Sequence, residues 1–282
     1  MDEFTGGRSL IYKSDNIYER RQRILRETRK MIAEGGLEAV SIRDLCDRAG
    51  IAQKTLYNAF GSKENVIALA IRQYLVDFAQ RVVMRFENTT LEGVLERMIK
   101  THSRNLQIRP YTSAIMGVYN SPTADRAIRN VIRSMAEEAA RPLADAIAAS
   151  EGFLPGVSPA SFIYLHTTAV YAILVDWCLG DVPDDELVDR ICECFLLMVV
   201  GCTKGQTHDE AQNWLEDLRT KRPSWSALRR MAEVGALTDL EPGSSSAASV
   251  EGANASEPAP VKAARQRSAQ RATPTKRKPR AA

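Results

Sequence analysis

Hydrogen-bonding side chains are concentrated in one short stretch of the chain. They are Gln53, Lys54, Thr55, Tyr57 and Asn58. The apolar residues of the same stretch, Leu56, Ala59 and Phe60, have the spacing of one side of a helix, so we predict a short helix that buries little of itself. Donors and acceptors on the free side of such a helix suit the edges of base pairs in the major groove of DNA.

The residues before this stretch predict a second helix and a tight turn. Ser41 stands where an N-cap is expected, and Asp44 follows three residues later as a short form of the capping box. Gly50 supplies the conformational freedom for a turn, and Ile51 closes it from the apolar side. The second helix has one apolar face, made of Ile42, Leu45, Cys46 and Ala49.

A first helix is predicted upstream of these two. Ile24, Met31 and Ile32 share one face at a period of 3.6 residues, and the pair Gly35-Gly36 ends the helix. The other faces are rich in cations: Arg20, Arg21, Arg23, Arg26, Arg29 and Lys30. Three short helices with a tight turn before the third form a helix-turn-helix.

Residues 20–63 resemble the N-terminal domain of the TetR family of bacterial transcriptional regulators. The resemblance rests on the runs Ala49-Gly50-Ile51, Thr55-Leu56-Tyr57 and Ser62-Lys63-Glu64, together with Phe60. It implies an all-α protein in which a three-helix DNA-binding domain is joined by a long helix to a helical bundle for ligand binding and dimerisation. The bundle itself matches the family only as a helical pattern of suitable length.

The chain departs from the family at two positions of the third helix. Ala52 stands where the family often has Ser or Thr, and this weakens the helix start. Lys54 stands where the family often has Gly, and it is expected to alter which bases are read.

By this resemblance, Tyr57 and Lys63 hold phosphates, while Gln53, Lys54 and Asn58 face base edges. Two alternatives stay open, because Tyr57 also suits the core and Lys63 also suits a solvated surface. The full set of predicted DNA contacts is Ser41, Arg43, Gln53, Lys54, Thr55, Tyr57, Asn58 and Lys63.

Charge is distributed unevenly along the chain. Residues 18–63 carry 10 Lys or Arg against 6 Asp or Glu, residues 64–240 carry 18 against 23, and residues 241–282 carry 8 against 3. The two basic stretches suggest double-stranded DNA as the partner of the first and possible phosphate contacts, or a solubilising tail, for the second. We expect residues 1–17 to be a flexible arm, because they are mixed in composition and include Gly6-Gly7 and two basic residues. We expect residues 241–282 to be a disordered basic tail, because they offer little apolar surface to bury.

Periodicity after residue 62 is helical throughout, and no stretch alternates with period two, so the fold class is all-α. The long joining helix is predicted from Ser62 to about Glu87. The other predicted helices cover 91–107, 123–150 with Pro142 as a kink or break, 159–179, 184–202, and 209–237 interrupted by Pro223. We therefore expect two folded domains, at 18–63 and 64–240.

The predicted hairpin 159–202 is apolar on nearly all sides. In a chain outside a membrane this pattern requires burial on two sides, one against the chain's own core and one against a second subunit. The resemblance likewise implies a homodimer through residues 159–202, with an ordinary core hairpin as the alternative. The stretch 162–179 has nearly the length of a membrane span, but it contains His166 and Asp176, so we expect a buried helix and no membrane partner.

Residues 91–179 combine apolar walls with a few polar tips, as a pocket for a small-molecule effector does. An ordinary core would use the same residues, and both interpretations stay open. The candidate lining is His102, Tyr111, Met116, Tyr119, Met135, Tyr164, His166 and Tyr171.

Chemistry beyond binding is not indicated. The sequence lacks the nucleophile, phosphate-loop, metalloprotease and dinucleotide motifs, its three histidines are far apart, and Cys192 and Cys194 are two residues apart on a helix. We predict no catalytic, metal or cofactor site. The odd count of five cysteines and the absence of a signal peptide favour the reducing cytoplasm.

The leading hypothesis is a TetR-like regulator, a ligand-responsive repressor that binds a pseudo-palindromic operator as a homodimer. The alternative is a helical protein that binds a ligand or partner and retains the fold without specific DNA binding.

Overall fold

A computed structural model describes residues 6–123 and 125–233, with side chains from residue 16 onward. Within these residues the chain forms eleven α-helices and no strand, apart from an isolated bridge between Phe153 and Thr203, so the all-α prediction is confirmed. The helices are α1 Gly6–Gly35, α2 Ile42–Ala49, α3 Gln53–Phe60, α4 Lys63–Arg81, α5 Leu91–Gln107, α6 Arg109–Asn120, α7 Arg126–Ala149, α8 Pro159–Leu179, α9 Leu187–Cys202, α10 Gln206–Arg219 and α11 Pro223–Glu233.

Side-chain caps explain where several helices begin. The hydroxyl of Ser41 accepts a hydrogen bond from the backbone N–H of Asp44, and that of Ser62 accepts one from Asn65, at 3.0 and 3.1 Å. Each bond satisfies a backbone donor that has no partner within its helix. Ser158 caps α8 in the same way, as part of a capping box.

The N-terminal helices pack around a small apolar core. α1 contacts both α2 and α4, and α3 contacts α2 and α4. Ile24 and Ile32 of α1, Leu45 of α2, Leu56 of α3 and Val66 of α4 are all buried. α1 also contacts α6, so the N-terminal helices touch the following bundle through α1 as well as through α4.

The second part of the chain is a layered helical bundle. α7 lies between α4 and α8, and α8 also packs against α6 and α9, while α9 packs against α5 and α10. The largest fully buried side chains of this part include Trp177 on α8 and Trp225 on α11. α8 is the described helix that is long and apolar enough to cross a membrane, but a core helix meets the same criteria and α8 contacts three neighbouring helices.

A buried ion pair holds the loop between α4 and α5. Lys100 and Glu96, both on α5, are 2.7 Å apart, and the Lys100 ammonium also donates to the carbonyl of Val83. Glu96 accepts backbone hydrogen bonds from Arg85 and Phe86. Burial would raise the pKa of Glu96, but the bonds from Lys100 and the two backbone N–H groups outweigh burial and lower it. The pair therefore fixes the path of the chain as it leaves α4.

The structure corrects several of the helix predictions. α4 ends at Arg81 rather than near Glu87, because the loop donates its backbone N–H groups to Glu96 instead of continuing the helix. No helix was predicted between residues 107 and 123, yet α6 forms there, with Pro110 in its first turn, where a missing N–H costs nothing. Pro142 does not break α7, which is one helix from Arg126 to Ala149.

At the N-terminus, residues 6–17 continue α1 rather than forming the predicted arm. Gly6 and Gly7 stand at the start of α1, and no proline follows that would break it. Residues 1–5 and the predicted tail 241–282 lie outside the described residues.

Candidate DNA-binding surface and effector region

The turn between α2 and α3 depends on one glycine. Gly50 has φ 62° and ψ 47°, a left-handed conformation that favours glycine, and its N–H donates to Asp47 and Cys46 at the end of α2. Ile51 donates to the same Cys46 carbonyl at 3.0 Å. The chain thus reverses within three residues, and α3 starts at Gln53 at an angle to α2.

α3 presents a single polar face. Leu56 and Phe60 anchor the helix in the core, whereas Ala59, which was predicted to be buried, is exposed. The exposed residues Gln53, Lys54, Tyr57 and Asn58 have the spacing of one helix face, and Thr55 is half-buried beside them. The structure therefore brings together the α3 residues that the sequence singled out.

Tyr57 belongs to the surface and not to the core. Its side chain is 47% exposed, which removes the alternative of a core aromatic. Lys63 is the first residue of α4 and is partly exposed directly after the Ser62 cap. Arg43 is exposed on the first turn of α2, whereas the Ser41 hydroxyl already accepts the capping hydrogen bond.

Two arginines of α1 contact the C-terminal ends of α2 and α3. Arg23 donates from Nε to the carbonyl of Ala49 at 2.9 Å, at the C-terminus of α2. Arg21 lies over the ring of Phe60 at 4.8 Å and donates to the carbonyl of Ala59, at the C-terminus of α3. A cation at a helix C-terminus is stabilising. The sequence analysis identified these arginines only as part of a basic helix face. Helical periodicity does not reveal which carbonyl groups accept their hydrogen bonds.

The predicted effector residues divide into groups. His102, Tyr111, Met116 and Tyr171 are buried, while Tyr119, Met135 and His166 are partly buried. Tyr164 was predicted to line the interior, but its side chain is 56% exposed on the outer face of α8.

The two histidines are uncharged over the physiological range. Burial lowers the pKa of His102 to about 3, with a further contribution from His166, and burial lowers the pKa of His166 to about 4. His102 Nδ1 is 3.2 Å from the side-chain amide nitrogen of Asn105, and His166 lies edge-on to Phe195. They therefore act as neutral polar groups inside an apolar region.

Two of the predicted tyrosines contact Arg133, and a third packs against one of them. Its Nη1 donates to Tyr119 Oη at 3.2 Å, and its guanidinium lies 4.6 Å from the ring centre of Tyr164. Tyr119 packs edge-on against Tyr171, whose hydroxyl donates to the carbonyl of Ile132 at 2.6 Å. These contacts leave the tyrosines largely engaged with their own neighbours.

The outer faces of α8 and α9 expose several apolar residues among polar ones, since Thr168 and Asp176 are exposed on the same side of α8 and Arg190 is exposed on α9. Leu165, Ala172 and Leu179 of α8 are exposed along one stripe together with Tyr164, and Leu197 and Gly201 are exposed on α9. In contrast, Phe195 and Leu196, which lie within the predicted interface segment 159–202, are buried against this chain's own core.

The five cysteines are free thiols, and burial raises the pKa of each of them. Across residues 6–123 and 125–233, no group of three or more His, Cys, Asp or Glu side chains could hold a metal ion. Cys46 and Cys192 are buried and Cys178, Cys194 and Cys202 are partly buried, and the raised pKa values make all five thiols less reactive.

Comparison with known proteins agrees with the helix-turn-helix. Residues 24–70 match the family described as "Bacterial regulatory proteins, tetR family". The HTH-type transcriptional repressor KstR of Rhodococcus jostii is 38% identical over 80 residues, which cover 28% of this chain and 36% of that protein. KstR of Mycolicibacterium smegmatis is 31% identical over 103 residues, covering 35% of this chain and 48% of that one. The matched region thus spans less than half the length of these relatives.

Solved structures extend the likeness to the fold of the bundle. A TetR-family transcriptional regulator from Rhodococcus sp. has a TM-score of 0.51 at 17% identity, covering 64% of this chain and 98% of that one. A TetR transcription regulator from Haloarcula marismortui has a TM-score of 0.51 at 12% identity, covering 66% and 100%. At these identities the likeness concerns the fold alone.

Proposed function

We propose that this chain is a TetR-family transcriptional regulator that binds DNA and acts as a repressor, because residues 24–70 match that family and the relatives that share this region are transcriptional repressors. The observation that carries the proposal is the face of α3, where Gln53, Lys54, Tyr57 and Asn58 are exposed together on a helix anchored by Leu56 and Phe60. No catalytic step is part of this function.

In this proposal, one set of side chains contacts the bases and another set contacts the phosphates. Gln53, Lys54 and Asn58 read base edges, because amide and ammonium groups on the exposed face of α3 reach into the major groove. Tyr57, Thr55 and Lys63 hold phosphates on either side and set the register of α3. Arg43 reaches the backbone from α2, and Ser41 contributes by fixing the start of α2.

Two copies of the chain bind one pseudo-palindromic operator in this proposal. The apolar stripe on α8 and the exposed Leu197 and Gly201 of α9 support a subunit interface within residues 159–202. Ala172 and Gly201 are small, so helices of two subunits can approach closely there. A two-fold dimer would place the two α3 helices in successive major grooves, about one turn of DNA apart.

A small-molecule effector is the proposed signal, and the cytoplasm is the proposed location. The buried polar groups between α5, α6 and α8 support an interior site, with His102, Tyr111, Met116, Tyr119, Met135, His166 and Tyr171 as its candidate lining. Binding there would change the spacing of the two DNA-binding domains. Five thiols without a disulfide among the described residues suit a reducing compartment.

A gel-shift titration against the DNA that flanks the protein's own gene tests this function. We expect a specific complex at moderate salt that survives excess random DNA, and a footprint with two-fold symmetry. A helical protein that retains the fold but binds only a ligand or a protein partner would give no specific shift, and that result would refute the proposal.

A further inference from the structure

A buried arginine without a carboxylate partner lies where α1, α4, α5 and α6 meet. Arg104, in the last turn of α5, is 4% exposed. Its Nε donates to Tyr74 Oη of α4 at 3.1 Å, and its Nη1 donates to Gln107 Oε1 at 2.8 Å. Both acceptors are neutral, and among the described residues no Asp or Glu forms an ion pair with Arg104.

Two polar atoms at this junction have no hydrogen-bond partner. One is Nη2 of Arg104, and the other is the hydroxyl oxygen of Tyr111, which is 1% exposed on α6. Both residues contact Tyr74, since the rings of Tyr111 and Tyr74 pack edge-on with centres 5.2 Å apart. An unpartnered guanidinium N–H and an unpartnered phenol hydroxyl therefore lie against the same side chain.

A second cation adds to the positive charge of the junction. Arg29 of α1 is also buried, donates to Gln73 Oε1 at 3.4 Å, and interacts electrostatically with Tyr111 and with Asp77. Burial raises the pKa of Asp77, although Arg29 and Arg81 oppose that shift. The region around Tyr74 thus holds two buried guanidinium groups and one half-buried carboxylate.

We propose that Arg104 and Tyr111 form a subsite for the anionic group of a small molecule, a carboxylate or a phosphate. A water molecule could complete the hydrogen bonds, but it would leave the buried guanidinium charge uncompensated, and proteins pair such charges. An anion satisfies both, because it accepts from the arginine N–H and from the phenol O–H at once. This deepens the proposed function by assigning a chemical class to its effector.

The position of the subsite explains how occupancy reaches DNA. Tyr74 belongs to α4, the helix that begins at Lys63 directly after the helix-turn-helix. An anion bound to Arg104 and Tyr111 contacts two residues that hold Tyr74, so it favours one position of α4 over another. The effector and the operator would then affect each other's affinity reciprocally.

Titration of the full chain without DNA tests the subsite directly. The probes are sodium acetate, sodium octanoate and sodium phosphate at constant ionic strength in sodium chloride, with binding followed by calorimetry and by thermal unfolding. We expect saturable binding of at least one probe. Binding of acetate or octanoate would identify the ligand group as a carboxylate, and binding of phosphate would identify it as a phosphate. Either result supports the subsite.

Variants then place the binding at these two residues. Arg104→Met keeps the length and apolar stem and should weaken the anion about 10- to 100-fold, as expected for a lost hydrogen bond to a charged group. Tyr111→Phe removes only the hydroxyl and should weaken it about 2- to 12-fold, so it also serves if Arg104→Met does not fold. Arg141→Met, an exposed arginine on α7, should bind as the wild type does.

Binding that is absent for all three probes, or unchanged in both junction variants, would overturn the subsite. Gel shifts on the same preparations keep the two proposals apart. Specific DNA binding without anion binding refutes only the subsite, whereas Arg104-dependent anion binding without specific DNA binding refutes only the proposed regulator.

Discussion

Individual side chains of α3 carry the proposed recognition of DNA. Gln53 and Lys54 lie at the start of the helix, where residues of a recognition helix come nearest to base edges. Both are exposed and neither has a hydrogen-bond partner among the side chains described, so neither must break an internal contact to reach DNA. Their contribution should therefore appear in specificity rather than in stability.

Gln53→Ala and Lys54→Ala should each cost about 1 to 3 kcal/mol of binding free energy at the operator and leave binding to random DNA nearly unchanged. Competition gel shifts with operator and random duplexes measure both quantities. Lys204→Ala, at an exposed lysine far along the chain, is the matched control. Equal losses on the two duplexes would contradict base reading by these residues.

Lys63→Ala should weaken binding to all DNA sequences alike. Each phosphate contact releases about one counterion, so the slope of log K against log salt should fall by roughly one per subunit. Fluorescence anisotropy between low and moderate salt gives the slope, with Lys204→Ala again as the control. An unchanged slope would make Lys63 a solvated surface charge.

The buried histidines make stability depend on pH. The folded protein holds the pKa of His102 at about 3, whereas the unfolded chain takes up a proton near 6.5, so stability is full above pH 6.5 and falls as pH decreases. Between pH 6.5 and 5 the loss should be about 2 kcal/mol for this residue. Urea unfolding at the two pH values should show a smaller loss for His102→Leu than for the wild type, and an equal loss would show that His102 is not buried in its neutral form.

At the scale of elements, α3 lacks a side-chain cap. Ala52 has the extended backbone of an N-cap, with φ −77° and ψ 148°, but its side chain has no oxygen that could accept a capping hydrogen bond. At the N-cap positions of α2 and α4, the hydroxyls of Ser41 and Ser62 do accept a hydrogen bond from a backbone N–H. α3 thus depends for its position on Leu56, Phe60 and the contact of Arg21 with its C-terminus.

Ala52→Ser should stabilise the protein by about 1 kcal/mol, because the new hydroxyl can accept from a free N–H in the first turn of α3. Ser62→Ala should destabilise by a similar amount at the start of α4. Urea unfolding of the two variants beside the wild type gives the free energies of unfolding. No gain for Ala52→Ser, with the expected loss for Ser62→Ala, would mean that the α3 donors are already satisfied.

At the scale of the whole molecule, the proposed function requires two DNA-binding domains held at a fixed distance. The buried positions of Phe195 and Leu196 exclude them as probes of the interface, since a charge there would disrupt the subunit's own core. Leu165 on α8 and Leu197 on α9 are 50% and 45% exposed and are the suitable positions.

Leu165→Glu and Leu197→Glu should each dissociate the dimer, because an unpaired carboxylate at a dry interface costs several kcal/mol. Loss of the second half-site should then lower operator affinity by about 10² to 10⁴. Light scattering measures the dissociation, circular dichroism the helix content, and gel shifts the affinity. The control is Val83→Glu, at an exposed apolar residue outside α8 and α9. If Leu165→Glu or Leu197→Glu gives a folded monomer that binds the operator like the wild type, the dimer mechanism is wrong.

The sequence by itself determined the helices that depend on local signals. The caps at Ser41 and Ser62, the turn at Gly50 and the period of apolar residues define α2, α3 and the start of α4. Each of these signals acts within about four residues, so spacing alone carries it. The polar residues of α3 were found for the same reason.

Only the tertiary structure decided the features that join distant residues. α4 ends early because Glu96, on the next helix, accepts the N–H groups of the loop, and Arg23 binds Ala49 across 26 positions of the chain. Which side of α9 faces the core was likewise unpredictable, because a helix that is apolar nearly all round has no periodicity to orient it. Burial of a group such as Arg104 follows from the packing of four helices, and no local pattern encodes that packing.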